Sequence, residues 1–182
     1  MYQVYQTKAF ILKSETQKEQ DQKVLVFSFE FGLVWVNVSS SKKDGSKMRN
    51  FLQNFTFADL YLVVGKGGFR LTGGQFLENF YYAFKYNKEE KIRIVQNIFN
   101  LISKNLISQH PEKEIFSLFE KFVFEIKDLK DLKSVKEKEL IFLANFLFQL
   151  GYFEEKYILK DNFSKQDFEL LQKKVNEVFR NM

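Results

Sequence analysis

Residues 24–38 read Val-Leu-Val-Phe-Ser-Phe-Glu-Phe-Gly-Leu-Val-Trp-Val-Asn-Val, and this stretch decides the fold. Its apolar side chains recur with a period of two, which is typical of strands whose side chains alternate between two faces. The stretch therefore predicts two adjacent strands with a break at Gly32. The expected faces are Leu25, Phe27, Phe29 and Phe31 opposite Val24, Val26 and Ser28, and then Val34, Val36 and Val38 together.

Three further runs of the same kind flank this pair of strands. Residues 9–12 precede it, and residues 56–64 and 69–72 follow it, with Gly65-Lys66-Gly67-Gly68 as a turn between the last two. In residues 56–64 the pattern places Phe57, Tyr61 and Val63 opposite Ala58, Leu60 and Leu62. Five short strands in about 80 residues predict the small Greek-key barrel called the OB-fold, because closing the sheet hides its edges.

After residue 80 the apolar pattern takes the period of helices. Asn87 and Glu90 form a candidate capping box before a stripe of apolar residues, and His110-Pro111 is the expected end of that helix. A second stripe covers residues 115–126. Residues 128–139 alternate in charge and are interpreted as a linker or a helix surface. The first stripe is Ile92, Val95, Phe99, Ile102 and Leu106, and the second is Ile115, Leu118, Phe119, Phe122 and Ile126.

Two more helices complete the predicted second half. Residues 140–150 are apolar nearly all round, which indicates a central helix that Gly151 caps. Ser164 and Asp167 predict another N-terminal box, before Phe168, Leu171, Val175 and Val178. The predicted fold class is therefore α+β, with a five-stranded OB-fold barrel at residues 1–82 and an all-α helical domain at residues 83–182.

The composition excludes several kinds of chemistry. The chain has no Cys, which excludes a thiol nucleophile and Cys-based zinc sites, and its one His, His110, is expected to be a surface residue without a carboxylate partner. We find no constellation of nucleophile, base or metal ligands, so we expect neither an enzyme nor a cofactor, and a nuclease or hydrolase is disfavoured. No apolar run approaches the roughly 20 residues of a membrane span, so the sequence predicts a cytoplasmic protein without membrane contact.

The net charge of +5 favours an anionic partner, and one segment concentrates the basic residues. Between the third and fourth predicted strands lie Lys42, Lys43, Lys47 and Arg49, against the single acid Asp44. Ser and Gly residues in this loop allow the backbone to approach a polyanion. The alternative interpretation is a solvated loop on a basic protein.

Two further features of the predicted barrel suit nucleic acid. Lys66 and Arg70, at the Gly-rich turn, are placed to reach a backbone phosphate. That turn lacks the spacing of a phosphate-binding loop and precedes a strand, so a hairpin explains it better. Trp35, and with it Tyr61 and Phe69, are candidates for stacking on bases, although most aromatic residues in such a chain belong to the core.

The order of these features resembles the bacterial recombination mediator RecO. The resemblance rests on Tyr-Gln-Val-Tyr-Gln-Thr-Lys-Ala-Phe-Ile-Leu-Lys-Ser (residues 2–14), on Asp-Gln-Lys-Val-Leu (21–25), on Phe31-Gly32 and on the basic loop. It continues through residues 52–56, 65–68 and 78–80, and Leu-Gly-Tyr (150–152) resembles the middle of the family's helical domain. Many family members carry a four-Cys zinc module soon after that point, which this chain lacks.

The resemblance implies an OB-fold protein without a catalytic site that binds single- and double-stranded DNA and anneals complementary strands. It implies a role in RecF-pathway DNA repair at the nucleoid, in which RecR and single-strand-binding protein are partners and RecA is loaded. By position, Lys42, Lys43, Lys47 and Arg49 match the family's basic loop, and Lys66 and Arg70 match a later basic turn less closely. The alternative hypothesis is a protein-interaction module whose helical domain binds the acidic, Phe-ended tail of single-strand-binding protein, with DNA contact secondary.

Overall fold

The computed structural model describes residues 3–17, 21–39, 52–153 and 164–181. In these residues a run of strands precedes a run of helices, so the predicted α+β class is confirmed. The strands are β1 (Val4–Thr16), β2 (Gln22–Ser28), β3 (Gly32–Val38), β4 (Thr56–Gly65) and β5 (Gly68–Asn79). The helices are α1 (Phe80–Ala83), α2 (Lys88–Asn105), α3 (Lys113–Lys127), α4 (Leu132–Gln149) and α5 (Lys165–Asn181).

The five strands close into a barrel in the order β1-β2-β3-β5-β4, and β4 pairs again with β1. The β3–β5 pair is parallel, with Val36 beside Phe69 and Asn37 beside Arg70, and the other pairs are antiparallel. This is the OB-fold arrangement that the strand count predicted. Each strand therefore has two neighbouring strands, although β3 and β5 pair only through Val36 with Phe69 and Asn37 with Arg70.

The barrel interior is filled by small aliphatic side chains. The predicted inward face of β3 is confirmed, because its three valines are buried there together with Val24 and Val26 of β2. One face of β4 also points inward, as the alternation predicted. The members of this barrel core are Ala9, Ile11, Val24, Val26, Val34, Val36, Val38, Leu52, Ala58, Leu60, Leu62, Phe69 and Leu71.

The helices cover part of the barrel's outer surface through a second core rich in phenylalanine. Phe10 of β1 lies at its centre, with ring centroids 4.5 Å from Phe57 and 4.7 Å from Phe119. Leu25 and Phe27 share this outward face, as predicted. Phe31 does not, because the chain turns at residues 29–31 and its ring packs against Phe69 on the side of the barrel core.

The connection between α2 and α3 lies against the start of β3. The backbone N–H of Gln109 donates to the carbonyl of Leu33 (3.0 Å), and Gly32, at φ +65°, has the carbonyl of His110 directly beside its Cα. Helix α2 ends at Asn105, five residues before the predicted stop at His110-Pro111, since the chain must extend to reach the barrel. His110 is exposed, and its Nδ1 lies 2.9 Å from Glu112, so the expected absence of a carboxylate partner was wrong.

Two strands are longer than their sequence patterns indicated. Strand β5 continues through Gly73 and Gly74 to Asn79, although the two glycines were interpreted as its end. Gly73 pairs with Tyr61, whose ring occupies the space that a side chain would need. Strand β1 likewise extends beyond residues 9–12 on both sides, because β2 and β4 both pair with it.

The predicted helix ends had mixed outcomes. The box at Ser164 and Asp167 is confirmed, and so is the Gly151 cap, where Gly151 and Tyr152 donate to carbonyls of the last turn of α4. The box at Asn87 was wrong. Asn87 adopts φ +49° and its side chain donates to the carbonyl of Lys130, while Glu90 binds Arg93.

Residues 128–139, interpreted as a linker or helix surface, hold the first half of α4, whose N-cap is Asp131. The proposed boundary between residues 82 and 83 falls inside α1, and the division into two domains stays a prediction. Within the parts of the chain that the structure describes, no helix is long and apolar enough to cross a membrane.

Candidate nucleic-acid interface

A row of polar side chains crosses the outer face of β2, β3 and β5. Lys23 pairs with Asn37 and Asn37 pairs with Arg70, and paired residues of neighbouring strands point to the same side of a sheet. The residues between them, such as Val24 and Val36, point into the barrel core. The Asn37 amide donates to the carbonyls of Gly67 and Phe69 (3.2 Å each), which ties β3 to the β4–β5 hairpin.

Trp35 lies on the same outer face, two residues before Asn37. It is half-buried because one side of its ring packs against the phenylalanine-rich core. The ammonium of Lys23 lies 5.3 Å from the ring centroid, within cation–π distance. Trp35 thus lies next to Lys23, which was not among the predicted contact residues. The strand alternation was a signal for Lys23, because a strand with Val24 inside the barrel has Lys23 outside.

The Gly65-Lys66-Gly67-Gly68 segment is a hairpin, as predicted. Gly65 pairs with Gly68, which has φ +91°, so that Lys66 and Gly67 form the turn. Lys66 and Arg70 are exposed, and neither forms an ion pair with any residue that the structure describes. The hairpin borders a shallow cleft of ≈ 230 Å³ whose lining residues include Asn37, Val64 and Arg70. Two cations at this end of the barrel are therefore without an ion-pair partner among the described residues.

The predicted basic loop with Lys42, Lys43, Lys47 and Arg49 lies outside the described residues. The described chain before it ends at Ser39, directly after β3, and Asn37 near that end is bonded to the hairpin. The described chain resumes at Leu52, which is buried in the barrel core. Both Lys66 and Arg70 thus lie near the end of β3, where the described chain stops at Ser39.

The other stacking candidates are less accessible than Trp35. Phe69 is buried inside the barrel against Phe31, so its ring offers no free face. Tyr61 is partly buried, with its ring against Gly73. Of the three aromatic candidates, Trp35 is the one beside described basic residues.

A second concave surface lies between α3 and α4. It is a groove of ≈ 580 Å³ with an apolar floor that includes Leu118, Phe122 and Phe142. Lysines line its walls together with two glutamates, and Lys138 is paired with Glu125 (2.8 Å). Lys121 is largely exposed and lies 3.8 Å from the same glutamate. The groove combines an apolar surface with basic walls.

The part of the chain that the structure describes has no group of side chains suited to binding a metal ion. No three His, Asp or Glu residues there are grouped so that they could hold a metal ion. The perturbed carboxyl groups have structural causes. Burial, with the negative charge of Glu90, raises the pKa of Glu139, while hydrogen bonds from Arg93 lower the pKa of Glu90 itself.

Comparison with known proteins is consistent across several relatives. Residues 1–80 match the family model described as recombination protein O N terminal. The chain is 27% identical over 113 residues to the DNA repair protein RecO of Clostridium perfringens, covering 62% of this chain and 44% of that protein. The RecO of Clostridium novyi is 26% identical over 125 residues, covering 69% and 48%. The RecO of a Nostoc species is 22% identical over 150 residues, covering 82% and 49%.

The chain thus spans about half the length of the curated relatives it matches. The family match covers β1 to β5, the elements that form the closed barrel with its outer row of polar side chains. All three relatives are named DNA repair protein RecO. Each alignment is longer than the barrel region and therefore extends into the helices. The chain is therefore similar to DNA repair proteins named RecO, and its first 80 residues match the model of that family's N-terminal domain.

Proposed function

We propose that this protein binds DNA through the outer face of β2, β3 and β5 and the adjoining hairpin, and that it acts in DNA repair and recombination. The observation that carries the proposal is the row from Lys23 through Asn37 to Arg70, with Lys66 beside it. Binding on the face of strands 2 and 3 and on the loops at their end is the usual mode of OB-folds. The one carboxylate that continues the row on β1, Glu15, is neutralised by Lys13 at 2.6 Å.

The proposed mechanism is electrostatic with one stacking contact. Lys and Arg side chains neutralise phosphates and release condensed counterions, which supplies affinity without sequence specificity. The exposed side of Trp35 stacks on a base. The basic residues Lys42, Lys43, Lys47 and Arg49 are proposed as further phosphate contacts. Reduced repulsion between two strands favours annealing, and base pairing supplies the specificity.

The salt dependence of binding tests the face directly. Replacing Lys23 and Arg70 together by Ala should weaken binding to oligothymidylate at low salt. It should also flatten the plot of log affinity against log salt by about 1.4, since each single-strand phosphate contact contributes about 0.7. The matched control replaces Lys173 and Lys174, which are exposed on α5, and removes the same net charge. Equal slopes in the two folded double variants would contradict this face as the binding site.

The basic loop has its own version of this experiment. Replacing Lys47 and Arg49 by Ala should flatten the slope by a similar amount, and combining both pairs of substitutions should add the two effects if one strand follows both features. An unchanged slope in the loop variant would remove those two residues from the binding track while leaving the strand face in place.

We further propose the role that the relationship to RecO suggests. The protein anneals complementary strands of the RecF repair pathway in the cytoplasm, with RecR as a partner, and assists the loading of RecA. No bond is made or broken in this role. Annealing of complementary oligonucleotides by the purified chain, measured by fluorescence quenching, is the test. A chain that binds DNA yet leaves the annealing rate unchanged would contradict the annealing role.

A second function is supported by the groove between α3 and α4. Its apolar floor suits a phenyl ring and its lysines suit acidic residues, so we propose that it binds the acidic, Phe-ended tail of single-strand-binding protein. Lys121→Glu should weaken binding of the tail peptide several-fold and leave oligonucleotide binding unchanged. A tail peptide without its terminal Phe is the control. Equal binding of both peptides would contradict the groove as the site.

A further inference from the structure

A tyrosine–lysine cluster, formed by Tyr81, Tyr82 and Lys88, lies on the surface at the far end of β5. Tyr82 is 70% exposed and Tyr81 is 42% exposed, although both are large aromatic residues. Their rings meet edge to face, with centroids 5.2 Å apart. The ammonium of Lys88 lies 4.1 Å from the Tyr81 ring and 5.8 Å from the Tyr82 ring. Two exposed aromatic rings thus lie beside the half-buried cation of Lys88.

The backbone that carries this cluster is firmly held. Asn79 is buried at the end of β5, and its side-chain oxygen accepts a hydrogen bond from the backbone N–H of Tyr81 (3.0 Å). Its amide group donates to the hydroxyl of Thr56 (2.8 Å) and to a backbone carbonyl. The Tyr81 ring is backed by Phe55, at 6.3 Å. The backbone at Tyr81 and one side of its ring are therefore held in place without a ligand.

A second aromatic–cation pair continues the cluster along the surface. The ammonium of Lys130 lies 5.2 Å from the ring of Tyr86, which is also exposed. The two pairs are joined, because the side chain of Asn87, next to Lys88, donates to the carbonyl of Lys130 (2.7 Å). Neither Lys88 nor Lys130 forms an ion pair with a described residue. The surface therefore repeats one arrangement, an exposed tyrosine beside an unpaired ammonium.

This arrangement fits single-stranded nucleic acid better than a protein segment. Aromatic rings with an exposed face stack on the bases of any nucleotide sequence, and ammonium groups beside them bind the phosphates. A helical peptide would instead need a groove lined with apolar side chains, which the surface between α3 and α4 offers and the tyrosine–lysine cluster does not. Exposed tyrosine rings are also tolerated at a protein surface, because the hydroxyl group of each ring can bind water.

We propose that the tyrosine–lysine cluster is a second binding site for single-stranded nucleic acid, in which Tyr82 stacks on a base and Lys88 contacts a phosphate. The inference rests on the proposed function, to which it adds a separate contact. Arg70 lies near the start of β5 and the cluster follows its end, so the two are separated by up to about 30 Å at the usual rise per strand residue. A strand held at the barrel face thus leaves the cluster available to a distant part of that strand or to another strand.

Binding measurements on Tyr82 variants test this site. Tyr82→Ala should weaken binding to a long oligothymidylate by about fivefold or more, the lower range for losing one stacked base. Tyr82→Phe, the matched control, keeps the ring and should bind as the wild type does. A protein carrying Tyr82→Ala that binds as tightly as the wild type would overturn the inference. Both variants should fold, because the side chain is mostly outside the core.

Photochemical crosslinking locates the contact and separates the two proposals. Oligonucleotides with iodinated uracil should crosslink to the peptide containing Tyr82, and this product should persist in the Arg70→Ala variant. Crosslinks confined to the barrel would overturn the second site while leaving the proposed function intact. A wild-type chain that binds no oligonucleotide would refute both. If Tyr82→Ala leaves DNA binding unchanged but weakens binding to a protein partner, the cluster is a protein-docking surface and the inference fails.

Discussion

The barrel core and the core between the barrel and the helices share strand β1, yet they are built from different side chains. Among the described residues the barrel core consists mostly of Val, Leu, Ile and Ala, with Phe69 buried in it and Phe31 packed against Phe69, whereas the other core contains many phenylalanines. A barrel of five strands has a narrow interior that small side chains fill. The wider gap between a curved sheet and helices is filled by rings.

Alternation along β1 divides its residues between the two cores. Ala9 and Ile11 point into the barrel, and Phe10 and Leu12 point toward the helices. Neighbouring residues therefore stabilise different contacts, although both faces are apolar. On a strand that is buried on both sides, the ring of Phe10, and not hydrophobicity, is what separates the helix-facing residues from Ala9 and Ile11.

The largest effect is expected at the centre of the ring-filled core. Phe10→Ala removes contacts to Phe57, Phe116 and Phe119 and should lower the free energy of unfolding by about 3–5 kcal/mol. Ile11→Val, in the barrel core, should cost only about 0.5–1.5 kcal/mol. Urea unfolding followed by circular dichroism measures both values.

Fluorescence provides the control for that experiment. Trp35 is the one tryptophan of the chain, and it packs against the ring-filled core. Since the two cores share β1, its fluorescence should change at the same urea concentration as the circular dichroism. Two separate transitions in the wild type would contradict the view that the cores form one cooperative unit.

Sequence periodicity predicted the strands because each carries its own alternation, and their number predicted the barrel. It did not show that Phe31 packs against the barrel core, which depends on the turn at residues 29–31. It also did not show that α2 stops at Asn105, which depends on how the α2–α3 connection lies on β3. In the candidate site, Lys66, Arg70 and Trp35 followed from local pattern. Lys23 and Tyr82 were missed because their exposure depends on which surface the helices leave uncovered.

The second prediction concerns the contact between β3 and the α2–α3 connection. Gly32→Ala would place a Cβ 1.8 Å from the carbonyl oxygen of His110, at a backbone φ of +65° that side chains disfavour. We expect a loss of at least about 2 kcal/mol, because the backbone strain alone costs about 1–2 kcal/mol and the connection must also move. Thermal unfolding measures the loss.

Gly67 is the matched control for Gly32. A Cβ at Gly67 meets nothing within 4 Å, so Gly67→Ala should change the stability by less than about 0.5 kcal/mol. If the two alanine variants unfolded at the same temperature, the close approach of His110 to Gly32 would not be a constraint on the fold.

The third prediction concerns a buried cation within the helical part of the ring-filled core. Lys91 is 0% exposed, and its ammonium donates to the carbonyls of Lys127 (3.1 Å) and Leu129 (2.8 Å) after the end of α3. Lys91→Met should cost about 1–2 kcal/mol at neutral pH, because two carbonyls lose their donor. Lys104→Met, on the exposed surface of α2, should be nearly neutral.

The pH dependence of stability gives a second test of Lys91. Burial lowers the pKa of its ammonium below the usual 10.5, against the opposing charge of Asp128. Between that lowered pKa and 10.5 the unfolded chain binds the proton and the folded chain does not, so stability rises with pH. The stability of the wild type relative to Lys91→Met should therefore increase as the pH rises through this window. A constant difference would contradict a perturbed Lys91.

The smallest effect is expected from an ion pair that joins helix α3 to the turn between β2 and β3 of the barrel. Lys113 of α3 lies 3.1 Å from Glu30 and 4.8 Å from the ring of Phe29, and both charged side chains are nearly half exposed. Solvent screens such pairs, so a double-mutant cycle with Lys113→Met and Glu30→Gln should give a coupling of about 0.2–1 kcal/mol. High salt should reduce it further. A coupling comparable to the loss in Phe10→Ala would mean that charge, and not the packing of rings, holds the helices to the barrel.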